Sequence, residues 1–254
     1  MRPARCGSVP RHSTLPVPAI LAGSAAALAA SYWTLMSPHS QLLGTFPYRA
    51  GTPEKVVALS FDDGPNEPYT SQIADYLNER GIKATFFQVG KCVQRHSEVT
   101  TRLASDGHVI GNHSYSHTFG RCWAPQTLAE EITDCQQVFE QTLGRLPRLY
   151  RPPWLLRTPA LFPILRERSL QPVSGTFCHP LEVFQPAPER IARRALAAVR
   201  PGGIVIFHDG YDAKGANRSS TVAAVKIVAE QLSHAGYRFT TVDRLLGVPA
   251  YSSP

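Results

Sequence analysis

Hydrophobic and polar residues follow two alternating patterns along most of the chain. Short apolar runs rich in β-branched residues, namely KVVALSF at 55–61, KATFFQV at 83–89 and GIVIF at 203–207, are typical of buried strands. Between such runs lie amphipathic segments, as at 69–80 and 125–143, in which apolar residues recur every three or four positions. Both of these segments are followed by a glycine, which favours the left-handed backbone that ends many helices. The pattern therefore predicts strands that alternate with helices.

The alternation of predicted strands and helices extends over one continuous domain. The predicted strands are 55–61, 83–89, 108–111, 148–150, 172–176, 203–207 and 237–242. The predicted helices are 69–80, 98–105, 125–143, 159–168, 188–199 and 221–235. Strands separated by helices favour parallel pairing, in a barrel or in a wound sheet. We predict an α/β fold, a distorted (β/α) barrel of about seven parallel strands with outer helices.

An uncharged apolar stretch near the amino terminus, at residues 15–36, interrupts this regularity. Three basic residues precede it, Arg2, Arg5 and Arg11. A basic start before such a stretch is typical of a cleaved signal peptide or of an uncleaved membrane anchor. Small residues around Ala29 offer a cleavage site, whereas the bulky continuation through Trp33 and Met36 favours retention as a membrane-spanning segment.

This N-terminal stretch predicts both the domain boundary and the location. We expect a signal or anchor segment and linker at residues 1–44, and the folded domain at residues 45–254. Because basic flanks stay on the cytoplasmic side of a membrane, the domain is expected outside the cytoplasm. It is then membrane-anchored, or secreted if the chain is cleaved near Ala29.

Composition narrows the class of protein only slightly. The chain has 254 residues, 43% of them hydrophobic, which excludes disorder throughout. Its net charge is +7, but no cluster of Lys and Arg follows one helix face, so we expect no nucleic-acid partner. Five cysteines are too few for a disulfide scaffold. Four of them follow the apolar stretch and allow three pairings if all are bridged, and none has metal-ligand spacing: Cys92, Cys122, Cys135 and Cys178.

Polar residues cluster directly after three of the predicted strands. Asp62 and Asp63 follow the first, His113 and His117 follow the third, and His208 follows the sixth. In barrels and open α/β sheets, functional sites lie at this carboxyl end of the strands. These side chains are therefore expected at one end of the molecule.

Each of these groups has a plain structural interpretation when taken alone. The Asp-Asp-Gly-Pro run at 62–65 is typical of a turn, and two histidines four residues apart are a weak metal signal. Taken together, these groups favour a catalytic metal site over separate structural roles. One carboxylate and two histidines form a three-ligand metal set with positions open to water and substrate, and a second carboxylate and a third histidine remain to move protons.

In this order, the motifs resemble those of the polysaccharide deacetylase family. That family comprises metal-dependent chitin, peptidoglycan and chitooligosaccharide deacetylases, with some acetylxylan esterases. The likeness spans roughly residues 45–246. The matching motifs are LSFDDGP at 59–65, HSYSH at 113–117, RPP at 151–153 and IFHDG at 206–210.

The resemblance implies a role for each motif residue. A divalent metal, usually Zn²⁺ with Co²⁺, Ni²⁺ or Mn²⁺ as alternatives, would be held by three ligands: Asp63, His113 and His117. Asp62 would be the general base, His208 the general acid that protonates the departing amine, and Arg151 would orient Asp62. The backbone N–H of Trp154 would stabilise the oxyanion together with the metal.

The sequence departs from the family pattern in two places. The family usually has glycine after the aromatic residue that follows Arg-Pro-Pro, but this chain has Leu155, so we expect the local loop to differ. The family also commonly has an Asp-Trp pair that tunes the acid histidine and lines the pocket. Here Glu182 is expected in place of that Asp, and Phe184 in place of the aromatic wall.

These observations predict a metal-dependent hydrolase, a polysaccharide deacetylase that removes N-acetyl groups from glycans containing N-acetylglucosamine. The expected partners are an acetylated polysaccharide such as peptidoglycan or a chitin-like glycan, and the membrane through the N-terminal segment. Two alternatives stay open: an O-acetyl esterase on a xylan-like glycan, and a homologue that binds glycan without turnover.

Overall fold

The structure is a computed structural model that describes residues 17–252, with side chains from residue 27 onward. Its α-helices are α1 Val17–Met36, α2 Tyr69–Glu79, α3 Gly90–Arg95, α4 Ser97–Ser105, α5 Pro125–Leu143, α6 Leu161–Glu167, α7 Pro188–Ala198, α8 Ser219–His234 and α9 Val242–Leu246. Its strands are β1 Val56–Asp62, β2 Thr85–Gln88, β3 Val109–Asn112, β4 Leu146–Pro147, β5 Leu149–Tyr150, β6 Gln171–Pro172, β7 Thr176–Phe177, β8 Gly203–His208, β9 Arg238–Thr240 and β10 Tyr251–Ser252.

The main sheet is parallel throughout, in the order β6-β5-β3-β2-β1-β8-β7, and β9 also pairs with β1. Its two edge strands, β6 and β7, are separated in the chain only by residues 173–175. The sheet must therefore curl until its edges approach each other. This arrangement confirms the predicted distorted α/β barrel.

The register of the central strands determines which side chains meet at the carboxyl end. Asp62 lies opposite His208 in the β1–β8 ladder, and Asn112 lies opposite Gln88 in the β2–β3 ladder. The middle of β1 is fully buried, and the rings of Phe61, Phe86 and Phe207 stack across the three strands. This apolar core holds the polar strand ends rigidly above it.

The predicted elements agree closely with the observed ones where the pattern is long. The helix predicted over 125–143 begins and ends at those residues, and Gly144 follows it at a φ of 63°. The strand predicted over 172–176 is instead two short strands, because the backbone N–H of Ser174 leaves the sheet and donates to the carbonyl of Pro47. Helices α3 and α9 and the small antiparallel β4–β10 pair had no prediction.

The N-terminal segment does not stand apart from the domain. Residues 35–46 lie against it, and Phe46 is fully buried in a cluster with Leu155 and Ile206. Among residues 17–252 no helix is both long and apolar enough to cross a membrane. Membrane anchoring and export both stay predictions. The basic residues on which that prediction depends lie outside the described residues: Arg2, Arg5 and Arg11.

Candidate active site

A cleft of about 340 Å³ opens at the carboxyl end of the central strands. Trp154 and Glu182 line it, together with five other predicted site residues: Asp62, Asp63, His113, His117 and His208. These five come from the ends of β1, β3 and β8 and from the loops that follow. The topology thus brings together residues that are as much as 146 positions apart in the chain.

Three of these side chains form a group with the geometry of a metal site. The ligand atoms of Asp63, His113 and His117 all lie within 4.8 Å of one another, and all three residues are buried. Asp63 Oδ1 is 3.2 Å from His113 Nε2 and 3.1 Å from His117 Nε2. No side chain or backbone group among residues 17–252 forms a well-directed hydrogen bond with this buried oxygen. A buried carboxylate oxygen aimed at two imidazole nitrogens suits a divalent cation.

The backbone of these loops is strained where the ligands lie. Asp63 has a φ of 77° and His117 a φ of 52°, in the left-handed region that residues other than glycine rarely adopt. Gly210 permits the close approach of the neighbouring loop, since a Cβ there would lie 2.3 Å from the carbonyl oxygen of Asp63. Strain that is retained at converging polar side chains is typical of a functional site.

Each histidine of the group is oriented through its other ring nitrogen. His113 Nδ1 lies 2.7 Å from the carbonyl oxygen of Arg151, which can only accept, so Nδ1 carries the proton and Nε2 presents its lone pair. His117 Nδ1 lies 2.9 Å from a carboxylate oxygen of Asp212. Contacts of this kind orient metal-binding histidines and raise their basicity.

The electrostatics of the group favour a positive charge at its centre. Burial acts to raise the pKa of Asp63, but the charges of His117 and His208 and the contact with His113 hold it well below its usual range. Burial acts to lower the pKa of His117, yet Asp63 and Asp212 raise it to about 10. Two carboxylates therefore attract positive charge to this imidazole, which is the charge that a divalent cation would supply.

The second carboxylate, Asp62, has a different environment. Its Oδ1 accepts a hydrogen bond of 2.6 Å from Arg151 Nη1, which also donates to the hydroxyl of Ser60. The other terminal nitrogen of Arg151 donates to the carbonyl of Ser174 at 2.9 Å, and the guanidinium lies 4.0 Å above the ring of Phe87. The structure thus places Arg151 as the group that orients Asp62.

Also in the cleft, His208 Nδ1 lies 2.7 Å from Glu182 Oε2. Burial acts to lower the pKa of His208, but the Glu182 carboxylate raises it to about 9. Glu182 is itself buried and accepts a hydrogen bond from Thr221. The structure thus brings together the histidine and the glutamate that the sequence proposed as a pair.

The turn after Arg-Pro-Pro corrects one expectation. Leu155 adopts a φ of 54°, so it takes the left-handed backbone that a glycine would favour, and the premise that leucine cannot adopt this conformation here is wrong. A left-handed conformation costs about 1–2 kcal/mol, and full burial of a leucine side chain offsets this by about 2 kcal/mol. Leu155 is buried against Phe46 and Ile206. Trp154, also at a φ of 54°, lines the cleft with its ring 4.4 Å from that of His117.

A second correction concerns the aromatic wall of the cleft. Phe184 is 75% exposed and is not among the lining residues. The helical turn Glu182–Phe184 directs Glu182 inward, and Phe184, two residues further on, therefore faces outward. The aromatic surface beside His208 is Phe177, whose ring stacks with that of His208 at 6.1 Å.

The cysteines between residues 17 and 252 take no part in the site. All four in the described part of the chain are buried and free, so none of the three pairings forms there. Burial raises the pKa of Cys92 and Cys122 to about 12, which makes both thiols unreactive.

Sequence reasoning missed several residues that contribute to the cleft. Asp212 follows His208 by four positions in the loop after β8, so its place near the strand end could have been noticed. Phe177, Tyr32 and Met36 also line the cleft, and Ser174 holds Arg151, but no sequence pattern distinguishes these four.

Comparisons with known proteins agree with this geometry. The sequence model of the family described as polysaccharide deacetylase matches residues 49–173. The chain is similar to a peptidoglycan-N-acetylglucosamine deacetylase of Bacillus cereus, with 36% identity over 194 residues that cover 76% of this chain and 89% of the relative. It is also similar to a chitooligosaccharide deacetylase of Bradyrhizobium, with 30% identity over 74% of this chain and 90% of the relative.

A similar structure has also been solved. It is the crystal structure of a peptidoglycan N-acetylglucosamine deacetylase in complex with an N-hydroxybenzamide compound. The two share 25% sequence identity at a TM-score of 0.75, over 81% of this chain and 94% of the other.

Proposed function

The chain belongs to the polysaccharide deacetylase family, and on that premise we propose that it removes N-acetyl groups from a glycan containing N-acetylglucosamine, such as peptidoglycan or a chitin-like polymer. One observation carries the proposal. A three-ligand metal group, a carboxylate held by an arginine and a histidine held by a glutamate all line one cleft.

The ligand set suits Zn²⁺, which binds histidine nitrogen and carboxylate oxygen and keeps an open position in catalytic sites. Asp63, His113 and His117 would hold it. A bound divalent ion supplies Lewis acidity, which lowers the pKa of water and polarises the acetamide carbonyl.

Asp62 then acts as the general base. Its carboxylate takes a proton from the water that attacks the carbonyl carbon, at a position beside the metal ligands. The hydrogen bond from Arg151 holds the carboxylate in one orientation, and Ser60 and Ser174 fix Arg151 in turn. A base that is positioned in this way needs no rearrangement when the proton moves.

His208 acts as the general acid. Glu182 accepts the Nδ1–H hydrogen bond, so Nε2 faces the cleft and carries the proton when the ring is charged. That proton passes to the amide nitrogen as the bond between carbon and nitrogen breaks, because an amine leaves poorly unless it is protonated. Acetate and the free amino sugar are the products. The backbone N–H of Trp154, at the edge of the cleft, is proposed as the oxyanion donor.

Acetate release from a panel of acetylated glycans tests this function. N-acetylated chitooligosaccharide and peptidoglycan should release acetate, and the metal-stripped protein should regain activity with Zn²⁺. Release from acetylxylan alone would favour the O-acetyl esterase. No release from any glycan, with metal bound, would favour a homologue that binds glycan without turnover.

We also propose that residues 45–254 form the catalytic domain and act outside the cytoplasm. The support is the N-terminal sequence, in which basic residues precede the uncharged apolar stretch at 15–36. Cell fractionation with a carboxyl-terminal tag tests it. A membrane-bound or exported pool is expected, and tagged full-length protein found only in the cytosol would contradict the location.

A further inference from the structure

The end of helix α1 and the chain that follows it, residues 32–46, pack against the domain and contribute to the cleft lining, and we call them the strap. Tyr32 and Met36, one helical turn apart, line the cleft together with Trp154 and Leu155. Leu28, one turn earlier on the same helix, does not line it and is exposed. Of the α1 side chains that the structure describes, those that line the cleft therefore lie at the C-terminal end of the helix.

A buried arginine holds the strap in place. Arg157 is 1% exposed, and no carboxylate within residues 17–252 forms an ion pair with it. Its guanidinium donates instead to the carbonyl oxygens of Ser37 at 2.6 Å and Ser40 at 2.8 Å, and its backbone N–H donates to the carbonyl of Leu35. A buried cation needs such acceptors, and carbonyls at the end of a helix carry partial negative charge. Docking of the strap satisfies the charge of Arg157.

Apolar packing fixes the other end of the strap. Phe46 is fully buried with Leu155 and Ile206, and its ring meets that of Phe162 edge to face. The side chain of Gln41 brackets Phe46, since it accepts from the Phe46 N–H and donates to the Phe46 carbonyl. Leu155, which lies beside Trp154 in the cleft, is therefore held partly by the strap.

The strap also contacts the support of the general base. The hydroxyl of Ser174 donates to the carbonyl of Pro38 at 2.7 Å, and its backbone N–H donates to Pro47. The carbonyl of the same Ser174 accepts from Arg151. One residue thus connects the strap to the arginine that orients Asp62.

We propose that Tyr32 and Met36 are specificity-determining residues, which form a wall of the cleft against which a sugar ring next to the acetylated residue packs. This inference rests on the proposed function. The Met36 thioether and the Tyr32 phenol ring line the cleft together with Trp154 and Phe177, and the lining is mainly apolar. Such a lining suits the apolar C–H face of a pyranose ring, and neighbouring sugars of the same glycan supply those faces.

The test compares four full-length proteins: wild type, Tyr32→Ala, Met36→Ala and the control Leu42→Ala. Leu42 lies on the strap, is 68% exposed and does not line the cleft. With an N-acetylated chitotetraose, each cleft variant should raise KM about fivefold at nearly unchanged kcat, because it loses contacts made equally in ground and transition states. With a small acetate ester, which has no neighbouring sugar, all four proteins should have equal kcat/KM.

The outcomes separate this inference from the proposed function. If the wild type releases no acetate from any glycan, the proposed function fails, and the specificity inference with it. If the wild type is active but both cleft variants keep its KM, or if Leu42→Ala raises KM as much as they do, the specificity inference alone fails.

Hydrogen exchange tests the docking of the strap without an activity measurement. In Arg157→Gln, the amides of Gly44 and Phe46, which donate to Gln41, should exchange at least about tenfold faster than in the wild type. Arg166→Gln, an exposed arginine on α6, is the control and should exchange as the wild type does. Unchanged protection of both amides in Arg157→Gln would contradict the role of Arg157.

Discussion

Two histidines that line the cleft each lie beside a carboxylate but have different proposed roles. His117 and His208 each direct Nδ1 to a carboxylate, at 2.9 Å from Asp212 and 2.7 Å from Glu182. Both pKa values are raised, to about 10 and about 9, because neighbouring carboxylates outweigh burial. What differs is the environment of Nε2. In His117 it points at the Asp63 carboxylate and at the second imidazole of the ligand group, whereas His208 is not part of that group.

The difference shows that a carboxylate behind a histidine does not by itself determine the role of the ring. Where Nε2 converges with other ligand atoms, the carboxylate strengthens a metal ligand. Where Nε2 faces the cleft alone, the same carboxylate stabilises the charged ring and so makes a proton donor available near neutral pH. Four substitutions test this division.

The largest effect is expected from His113→Ala, which breaks the ligand group. The variant should lose bound metal, and turnover should fall by at least about 10⁴-fold, since metal chemistry supplies several kcal/mol of transition-state stabilisation. Metal content after dialysis and acetate release are measured together. His179→Ala removes another histidine that lines the cleft and should keep its metal. Full metal occupancy in His113→Ala would exclude His113 as a ligand.

Asp62→Asn should keep the metal and lose turnover by about 10²–10⁴-fold, because it removes the proposed general base and no residue of the ligand group. The comparison is with Asp63→Asn, which changes the neighbouring carboxylate that lies in the ligand group. Metal content and kcat of both variants are measured. Loss of metal in Asp62→Asn with retention in Asp63→Asn would reverse the assignment of the two carboxylates.

Asp212→Asn tests the carboxylate behind His117. Removal of such a supporting contact typically weakens metal affinity by about 10–100-fold, so the dissociation constant should rise within that range. Activity at saturating metal should recover most of the wild-type value. Asp75→Asn, which changes a surface carboxylate paired with Arg102, is the control for loss of charge. Equal metal affinity in Asp212→Asn and wild type would show that Asp212 does not support the ligand.

Glu182→Gln tests the carboxylate behind His208 and should have the smallest effect on maximal rate. Asp62 and Asp63 also face His208 and remain in the variant, while Phe177 provides the stacked ring. Gln can still accept the Nδ1–H hydrogen bond but lacks the negative charge, so the pKa of His208 should fall.

The direction of the pH shift expected for Glu182→Gln follows from the proposed role of His208 as a proton donor. Activity is lost as pH rises through the pKa of the proton donor, so the alkaline limb of the kcat profile should move to lower pH by about one unit. Metal content should not change. An alkaline limb at the wild-type position would mean that Glu182 does not tune the proton donor.

Much of the fold could be predicted from the sequence, because long periodic segments and strand-helix alternation carry strong signals. Helix α5 and the central strands β1 and β8 lie where the pattern indicated, and the barrel class follows from them. The two-residue strands β4 and β10 could not be predicted, since so short a strand has no period of its own. The break at residues 173–175 depends on a contact with Pro47, far away in the chain.

Most residues of the candidate site could also be predicted from the sequence. Acidic and histidine residues directly after buried strands must meet at the carboxyl edge of a parallel sheet, so the convergence of Asp62, Asp63 and His208 follows from topology. The sequence also suggested Glu182 as the partner of His208. It misplaced Phe184, because the direction of a side chain in a short helical turn depends on what packs beneath it.

The sequence by itself thus determined the barrel class, the edge at which the site lies and the residues available for metal and proton chemistry. Only the tertiary structure decided that Asp212 stands behind His117, that Leu155 takes a left-handed backbone, and that the strap at 32–46 reaches the cleft. The physical reason is that these features depend on contacts between distant segments, such as Arg157 with the carbonyls of Ser37 and Ser40. Local sequence patterns record neighbours along the chain and not neighbours in space.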